Sequence, residues 1–306
     1  MSEVPTAPFG RVLTAMVTPF LPDGALDVEG CARLARTLVD AGNDGLVVNG
    51  TTGESPTTSD EEKLVVVRTV LDAVGDRAQV VAGVGTNDTR HSIELAQAAA
   101  EAGAHGTLVV TPYYSKPPQA GLVGHFAAVA DATPLPVMLY DIPGRTGVPI
   151  RTETLVELAA HERIVAVKDA KEDLAASAEV LARTDLAYYS GSDALNLPLL
   201  SVGAVGVVSV ITHVVTARVA QMIAAFASGD VARAQALNAG LIPVSTGIFR
   251  TQGVILTKAA LGLLGLPGGP VRSPLADATA AELAQLRVDL AAGGLPLDRP
   301  VLEASA

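Results

Sequence analysis

Short apolar runs alternate with amphipathic segments along most of the chain. The runs are rich in Val, Ile and Leu, and they lack the polar alternation of a strand with one face in water. Continuous apolar runs of this kind are typical of strands in a parallel sheet that is covered on both faces. The predicted strands are Val12–Val17, Gly45–Asn49, Gln79–Val84, Thr107–Thr111, Pro136–Tyr140, Ile164–Lys168, Ala187–Ser190 and Val205–Val210.

An amphipathic helix is predicted after each strand. Ser59 and Glu62 have the spacing of a capping box at one helix start, and Gly42 and Gly103 supply helix stops. The predicted helices are Asp27–Ala41, Asp60–Val74, Thr89–Ala102, Gly121–Ala132, Thr152–His161, Asp173–Arg183, Leu195–Val202 and Val214–Ser228. Eight strand–helix units before residue 230 favour an α/β fold of the (β/α)8 TIM barrel type over a doubly wound sheet.

The remainder of the chain has no strand pattern and predicts about three helices, Ala232–Leu241, Gly253–Leu264 and Ala280–Ala291. We therefore expect a catalytic barrel over residues 1–229 and a C-terminal helical extension over residues 230–306. The extension is expected to pack on the barrel or on a neighbouring subunit.

The composition narrows the classes of partner and location. The 306 residues carry a formal net charge of −11 without a block of Lys or Arg, so neither nucleic acid nor an anionic membrane is an expected partner. The single cysteine, Cys31, excludes an intrachain disulfide and is expected to be a small core residue in a reducing compartment. No signal peptide is recognisable, which predicts a cytoplasmic protein. The uncharged stretch Ala194–Ala217 is broken by Gly, Pro and polar residues, so no membrane span is predicted.

Lys168 ends the predicted strand Ile164–Lys168 and carries the strongest chemical signal of any single residue. Burial disfavours a charged ammonium group and lowers the pKa of a lysine. A neutral amine attacks carbonyl groups, so Lys168 is a candidate Schiff-base lysine. The alternative interpretation is a lysine at a strand end that simply reaches water.

Other chemically useful residues also follow predicted strands, at the end where barrel active sites form. The loop Gly50–Ser55 offers backbone N–H groups and hydroxyls that suit a carboxylate or phosphate, although an ordinary turn has the same composition. Tyr114 and Tyr140 could transfer protons as a pair, or pack with their phenol groups in water. Arg145 follows a Pro-Gly turn and could hold a substrate carboxylate or be a solvated loop residue. Gly191 follows the seventh strand.

Several other kinds of site find no support in the sequence. The five histidines are scattered and are expected at the surface or at helix ends, and one cysteine cannot form a thiolate cluster, so no metal site is predicted. No Walker loop, dinucleotide fingerprint or nucleophile elbow is present. These exclusions leave covalent chemistry by an amine as the best-supported class, with no cofactor expected.

Four ordered motifs, together with the segment Leu13–Phe20, closely resemble the 4-hydroxy-tetrahydrodipicolinate synthase family, also called dihydrodipicolinate synthases. The motifs are Gly50-Thr51-Thr52-Gly53-Glu54-Ser55, Thr111-Pro112-Tyr113-Tyr114, Leu139-Tyr140-Asp141-Ile142-Pro143-Gly144-Arg145-Thr146-Gly147 and Val167-Lys168-Asp169-Ala170. Each motif stands at a predicted strand end, and the likeness extends through the C-terminal helices. The resemblance implies a pyruvate-dependent lyase of lysine and diaminopimelate biosynthesis.

The resemblance implies that Lys168 forms an imine with pyruvate and that the resulting enamine attacks L-aspartate 4-semialdehyde. Tyr140 matches the proton donor and acceptor of the family, and Thr51 and Tyr114 match its relay partners. In the family, the tyrosine that matches Tyr114 enters the site of a neighbouring subunit. A homotetramer built from dimers is therefore expected.

The same resemblance implies the substrate contacts. Thr52 matches the residue that contacts the pyruvate carboxylate, and the backbone of Val208 matches the other pyruvate contact. Arg145 matches the arginine that receives the carboxylate of the semialdehyde, and Gly191 is also expected at the substrate. Ser192 departs from the acidic residue that is common in relatives, and we expect little effect on the chemistry.

Feedback inhibition by lysine is expected to be weak or absent. Lysine-inhibited relatives place histidines and a glutamate around an interface lysine site, and three positions of that site match here. The departures are Asp60, Lys63 and His91. An inhibitor would meet the like charge of Lys63, which disfavours binding. A lysine titration that gives half-inhibition below millimolar concentration would contradict this prediction.

Two other functions stay open at this point. A sialic acid lyase or a 2-keto-3-deoxy sugar acid aldolase shares the lysine and tyrosine motifs, although Arg145 suits a short acidic aldehyde better. A barrel that binds a small acid without turnover is the second alternative, against which the set Lys168, Tyr140, Thr51 and Tyr114 argues.

Overall fold

The protein, described here by a computed structural model over residues 6–295, is a closed barrel of eight parallel strands in sequence order. The strands are β1 (Val12–Ala15), β2 (Gly45–Val48), β3 (Gln79–Gly83), β4 (Gly106–Val110), β5 (Val137–Asp141), β6 (Ile164–Asp169), β7 (Ala187–Ser190) and β8 (Gly206–Ser209). Val12 of β1 pairs with Val207 of β8, which closes the barrel. The predicted fold class is confirmed, and every predicted strand is present with small shifts at its ends.

The helices of the barrel surround these strands. They are α1 (Val28–Asp40), α2 (Asp60–Val74), α3 (Thr89–Glu101), α4 (Gln119–Asp131), α5 (Pro143–Thr146), α6 (Thr152–Leu158), α7 (Leu174–Arg183), α8 (Asn196–Ser201) and α9 (Thr212–Ala227). The capping box of Ser59 and Glu62 is confirmed at the start of α2. Gly42 and Gly103 have φ angles of +104° and +89° after α1 and α3, as helix stops require. Cys31 is buried in the core, as predicted.

A register shift between β5 and β6 sets which side chains face each other near the site. Val137 pairs with Ile164, but the next residue, Met138, pairs with Ala166. Val165 is therefore an extra residue on β6, which is the definition of a β-bulge. Beyond it, Tyr140 pairs with Lys168.

The C-terminal extension consists of α10 (Val231–Ile248), α11 (Gly253–Leu263) and α12 (Ala280–Ala292). The predicted end of its first helix at Leu241 is wrong, because α10 continues through Pro243. A proline removes one helical hydrogen bond. Val244 and Ile248 are nevertheless buried where α10 packs on α9 and α12, and this burial holds the last turns in place.

Arg218 joins the barrel to the extension. Its guanidinium on α9 donates to the carbonyl oxygens of Gly240, at 2.6 Å, and of Gly293. We propose that the functional division follows the predicted boundary between residues 229 and 230. That boundary falls in the turn at Gly229, which has a φ of +83°. The ends of the two predicted units, residues 1–5 and 296–306, lie outside the described residues.

No helix within residues 6–295 has both the length and the apolar character needed to cross a bilayer.

Candidate active site

Lys168 and Tyr140 lie side by side at the carboxyl ends of β6 and β5. The ammonium nitrogen Nζ of Lys168 lies 4.2 Å from the centre of the Tyr140 ring, and each residue is only 4% exposed. Because their strands pair in register here, the barrel itself sets this separation. The structure thus brings the two strongest candidates together.

Burial makes Lys168 a better nucleophile than an ordinary lysine. Desolvation lowers the pKa of its amine from 10.5 to about 8, and the positive charge of Arg145 acts in the same direction. The carboxylate of Asp193 opposes this shift. At pH 7 roughly a tenth of such an amine is neutral, against well under a thousandth of an unperturbed lysine.

Tyr140 keeps its proton across the physiological range. Burial raises the pKa of the phenol to about 12, although the charge of Arg145 and a hydrogen bond with the Thr51 side chain lower it in part. A neutral phenol can donate a proton. It can accept one only after its own proton has moved to a hydrogen-bonded neighbour. Thr51 is thus close enough to Tyr140 to affect its pKa, and its role as a relay partner stays a prediction.

The loop that carries Thr51 and Thr52 is held in an uncommon backbone conformation. Asn49 and Glu54, on either side of it, have φ angles of +56° and +55°. The Thr18 hydroxyl, in the segment after β1, donates to the Gly53 carbonyl at 2.7 Å and fixes the loop. Thr52 is buried beside these contacts, consistent with a binding rather than a surface role.

Gly191 lies against the stem of Lys168. A Cβ atom at Gly191 would come within 2.9 Å of Lys168 Cγ and 3.1 Å of Cε. Any larger residue would therefore displace the lysine side chain. Val208 is buried in β8, two strands from β6, and pairs with Leu13 of β1; its contact with pyruvate stays a prediction.

Asp193 is a functional candidate that the sequence reasoning missed. Its buried carboxylate accepts hydrogen bonds from the backbone of Val210 (2.8 Å) and Ile211 (3.1 Å) and from the side chain of Asn196 (3.0 Å). These donors hold in place a carboxylate that acts on the pKa of Lys168. The only sequence signal was its place two residues after Gly191, at a strand end.

Arg145 is placed by the short helix α5, which the sequence analysis did not predict. Pro143 begins this helix and Gly147, with a φ of +80°, ends it. The segment returns to the barrel through the Ile150 N–H, which donates to the Asp141 carboxylate at 3.1 Å. Burial raises the pKa of Asp141 to about 6. Four residues are too few for a periodic pattern, which explains the miss.

Two cavities meet at Arg145. The smaller has a volume of about 400 Å³ and is lined by Thr51, Tyr114 and Tyr140 among others. The larger has a volume of about 1110 Å³ and is bordered by Gly191 and Asp193. Arg145 lines both, so it separates the cavity of Thr51, Tyr114 and Tyr140 from the larger one.

Tyr114 is placed differently from the other predicted site residues. It lines the smaller cavity but is 90% exposed, with a φ of +72°. A bulky residue rarely adopts this backbone region unless its surroundings enforce it. The single chain therefore presents Tyr114 at the rim and leaves its ring uncovered.

The histidine prediction is wrong for His125, which is buried in the middle of α4. His213 lies at a helix end, at the start of α9, but it is buried as well. The Nε2 atom of His213 accepts from the Val17 N–H at 3.1 Å, and its Nδ1 lies 2.8 Å from the Val210 carbonyl. Burial lowers the pKa of both imidazoles to about 4. The core accommodates the neutral imidazole of His213 because both of its ring nitrogens are bonded, which the spacing of histidines in the sequence could not reveal.

The three residues that bear on lysine inhibition lie together. His91 Nε2 is 2.9 Å from one carboxylate oxygen of Asp60, and Lys63 Nζ is 3.7 Å from the other. Lys63 also donates to the Thr58 carbonyl at 2.6 Å. The cavity beside them has a volume of about 20 Å³, enough for about one water molecule. The prediction of weak inhibition stays a prediction.

Within the described part of the chain, no group of three or more His, Cys, Asp or Glu side chains is arranged to hold a metal ion.

A family profile matches residues 8–293, and its description is the dihydrodipicolinate synthetase family. The chain belongs to this family. Among curated dihydrodipicolinate synthetase relatives, 4-hydroxy-tetrahydrodipicolinate synthase of Acidothermus cellulolyticus is 73% identical over 94% of this chain and 94% of its own. The enzyme numbered 2 from Streptomyces coelicolor is 65% identical over 97% and 99%.

Solved dihydrodipicolinate synthase structures agree with this assignment. The enzyme of Bacillus anthracis is 44% identical, with a TM-score of 0.91 over 92% of this chain and 98% of that one. The enzyme of Cyanidioschyzon merolae, solved with lysine bound, is also 44% identical, with a TM-score of 0.93 over 95% and 100%. The predicted family is confirmed, and the matches support the synthase activity over the sugar acid aldolase alternative.

Proposed function

We propose that the chain condenses pyruvate with L-aspartate 4-semialdehyde, through an imine on Lys168, to give 4-hydroxy-tetrahydrodipicolinate. The observation that carries the mechanism is the buried pair of Lys168 and Tyr140, in which the lysine Nζ lies 4.2 Å from the centre of the tyrosine ring. The pKa of the lysine amine is lowered to about 8. The family to which the chain belongs supports the choice of reaction.

Imine formation is the first step. The neutral amine of Lys168 attacks the keto carbon of pyruvate, and the carbonyl oxygen leaves as water after two proton transfers. Tyr140 donates a proton to that oxygen, and Thr51 passes the proton of the amine back to the phenolate. Thr52 and the backbone of Val208 hold the pyruvate carboxylate. Gly191 leaves room for the lysine stem during this step.

Carbon–carbon bond formation follows. The protonated imine withdraws electrons, so the methyl group of pyruvate loses a proton to the phenolate of Tyr140 that imine formation leaves, and an enamine forms. Its carbon attacks the aldehyde of the semialdehyde, whose oxygen takes that proton from Tyr140. The amino group of the semialdehyde then displaces Lys168 from the imine carbon and closes the ring. Because the imine is the electron sink, this sequence of steps requires neither a metal nor another cofactor.

Trapping with borohydride tests the proposal. Reduction in the presence of pyruvate should give one adduct, which mass spectrometry should locate on Lys168. In a separate assay, the untreated protein should form product from pyruvate with aspartate semialdehyde and not from pyruvate with a sugar aldehyde. The absence of an adduct would favour a barrel that binds a small acid, and turnover of the sugar aldehyde would favour the aldolase alternative.

Arg145 is expected to set the affinity for the semialdehyde. Replacing it with alanine removes a bidentate partner for a carboxylate, an interaction of roughly 1.5–3 kcal/mol. The KM for aspartate semialdehyde should rise about 10- to 100-fold in steady-state assays, while borohydride still traps pyruvate on Lys168. R145K is the control, because lysine keeps the positive charge but cannot form two parallel hydrogen bonds with a carboxylate. An unchanged KM for the semialdehyde in R145A would contradict the assignment.

We further propose a homotetramer built from dimers that works in the cytoplasm on these two small molecules. The exposed ring of Tyr114, held at a φ of +72° on the rim of the smaller cavity, supports completion of each site by a neighbouring subunit. The net charge of −11 and the single cysteine are consistent with this setting and with the absence of a nucleic-acid partner.

A further inference from the structure

An ion pair that is completely buried joins the C-terminal extension to the loop of Thr51 and Thr52. Glu54, in that loop, and Lys258, on α11, have side chains only 1% and 2% exposed. Their charged atoms, Glu54 Oε1 and Lys258 Nζ, lie 2.5 Å apart. The two residues are more than 200 positions apart in the sequence, so only the folded extension brings them together.

Arg272 completes the connection from the segment after α11. Its backbone N–H donates to the second carboxylate oxygen of Glu54 at 2.8 Å. Its guanidinium donates to the Thr57 carbonyl at 2.8 Å and to both carboxylate oxygens of Glu62, at 2.6 and 2.7 Å. Arg272 therefore holds both ends of the segment from Glu54 to Glu62.

Phe20, after β1, contacts both cations through its ring. The Lys258 Nζ is 4.1 Å and the Arg272 Cζ is 4.0 Å from the ring. The Phe20 N–H donates to the Gly268 carbonyl at 3.3 Å. Cation–π contacts at this distance are attractive, and most so where water is excluded. The aromatic ring fixes where the two cations can sit, and hence where Glu54 is held.

The backbone conformation of Glu54 requires stabilising contacts. Its φ of +55° is a conformation that residues with a Cβ atom adopt only when their surroundings enforce it. Its N–H donates to the Thr51 carbonyl at 3.1 Å, so a change at Glu54 is transmitted directly to Thr51. Thr52 stands two residues away in the same loop.

A buried ion pair is a poor way to gain stability alone, because desolvation of both charges offsets their attraction. A better-supported use of such pairs is to select one conformation among several. Here the selected conformation is that of the loop next to the reacting lysine and tyrosine.

We propose that Glu54, Lys258 and Arg272 are positioning residues for the synthase reaction. They hold Thr51 and Thr52 in place, so the extension controls how the site binds pyruvate and relays protons. This inference rests on the proposed function of the Thr51–Thr52 loop. The three residues touch no reacting atom and act only through that loop.

K258M tests the proposal against a matched control, R218M. Both variants remove a cation that fastens the extension to the rest of the chain, but Arg218 bonds carbonyls of the extension far from the loop. We expect K258M to lower kcat/KM for pyruvate about 10- to 100-fold per active site, as a small misplacement of binding groups does. R218M should lower the Tm and leave the kinetics unchanged. Active sites are counted by borohydride trapping after long incubation with pyruvate.

If K258M does not fold, the double variant E54Q/K258M takes its place, because it leaves no unpaired buried charge. It should fold and show the same loss in kcat/KM for pyruvate. Wild-type kinetics in either folded variant would overturn the positioning role, whatever the Tm. Failure of the wild-type protein to trap pyruvate would instead overturn the proposed function, so the two failures are distinguishable.

Discussion

Replacing Lys168 with methionine is expected to abolish the pyruvate adduct and to lower kcat for condensation by about 10⁴-fold or more. Methionine has a similar length and no amine, so the barrel should keep its fold. Removal of a buried ammonium also removes a desolvation cost, since Lys168 is 4% exposed. Borohydride trapping with mass spectrometry and a coupled condensation assay give the two measurements.

K168R is the matched control for this change. Arginine keeps a long side chain and a positive charge, but it cannot lose its proton to form an imine. Both variants should therefore fail equally, and an adduct in either one would contradict the role of Lys168.

The pH dependence of trapping by the wild-type protein checks the same assignment. The neutral amine predominates above the pKa, which is about 8 for Lys168. The trapping rate should therefore rise roughly tenfold between pH 7 and pH 9 and then level off. A rate that still climbed steeply beyond pH 10 would indicate an ordinary lysine.

Replacing Tyr140 with phenylalanine is expected to lower kcat by about 10²- to 10³-fold, because the phenol supplies protons in several steps. The ring remains beside Lys168, so the packing of the site should be preserved. Pyruvate should still be trapped after long incubation, at a slower rate. Stopped-flow measurement of imine formation and steady-state kcat provide the test.

Tyr188 supplies the matched control for Y140F. It is a buried tyrosine of β7 whose hydroxyl has no hydrogen-bond partner among the described residues. Burial and the carboxylates of Asp169 and Asp141 raise the pKa of this phenol, so it stays neutral as well. Y188F should leave kcat unchanged. Equal losses in Y188F and Y140F would argue against a specific proton role for Tyr140.

The barrel was predictable because its strands are apolar on both faces. Residues such as Val47, Leu139 and Val207 are buried on either face of the sheet. The apolar runs can therefore be recognised in the sequence without knowing which strands pair. The positions of Lys168 and Tyr140 followed, since both end such runs. Two helices were predicted wrongly or missed. The helix α10 continues through Pro243, and α5 is too short to show a helical repeat of apolar residues.

The rest of the site depends on contacts between distant segments. Asp193 gains its backbone donors from the two residues before α9, and Glu54 gains its partner from α11. Nothing in the sequence near either residue indicates these partners. His213 illustrates the same limit, because its place in the core depends on the Val17 N–H.

The bulge at Val165 has a consequence for which way Lys168 points. Side chains alternate along a strand, so shifting a register by one position exchanges the two faces. Without the extra residue, Val167 would stand level with Tyr140, and Lys168 would stand level with Asp141, toward the surrounding helices. The inward direction of the amine therefore depends on one extra residue, a valine near the other end of β6.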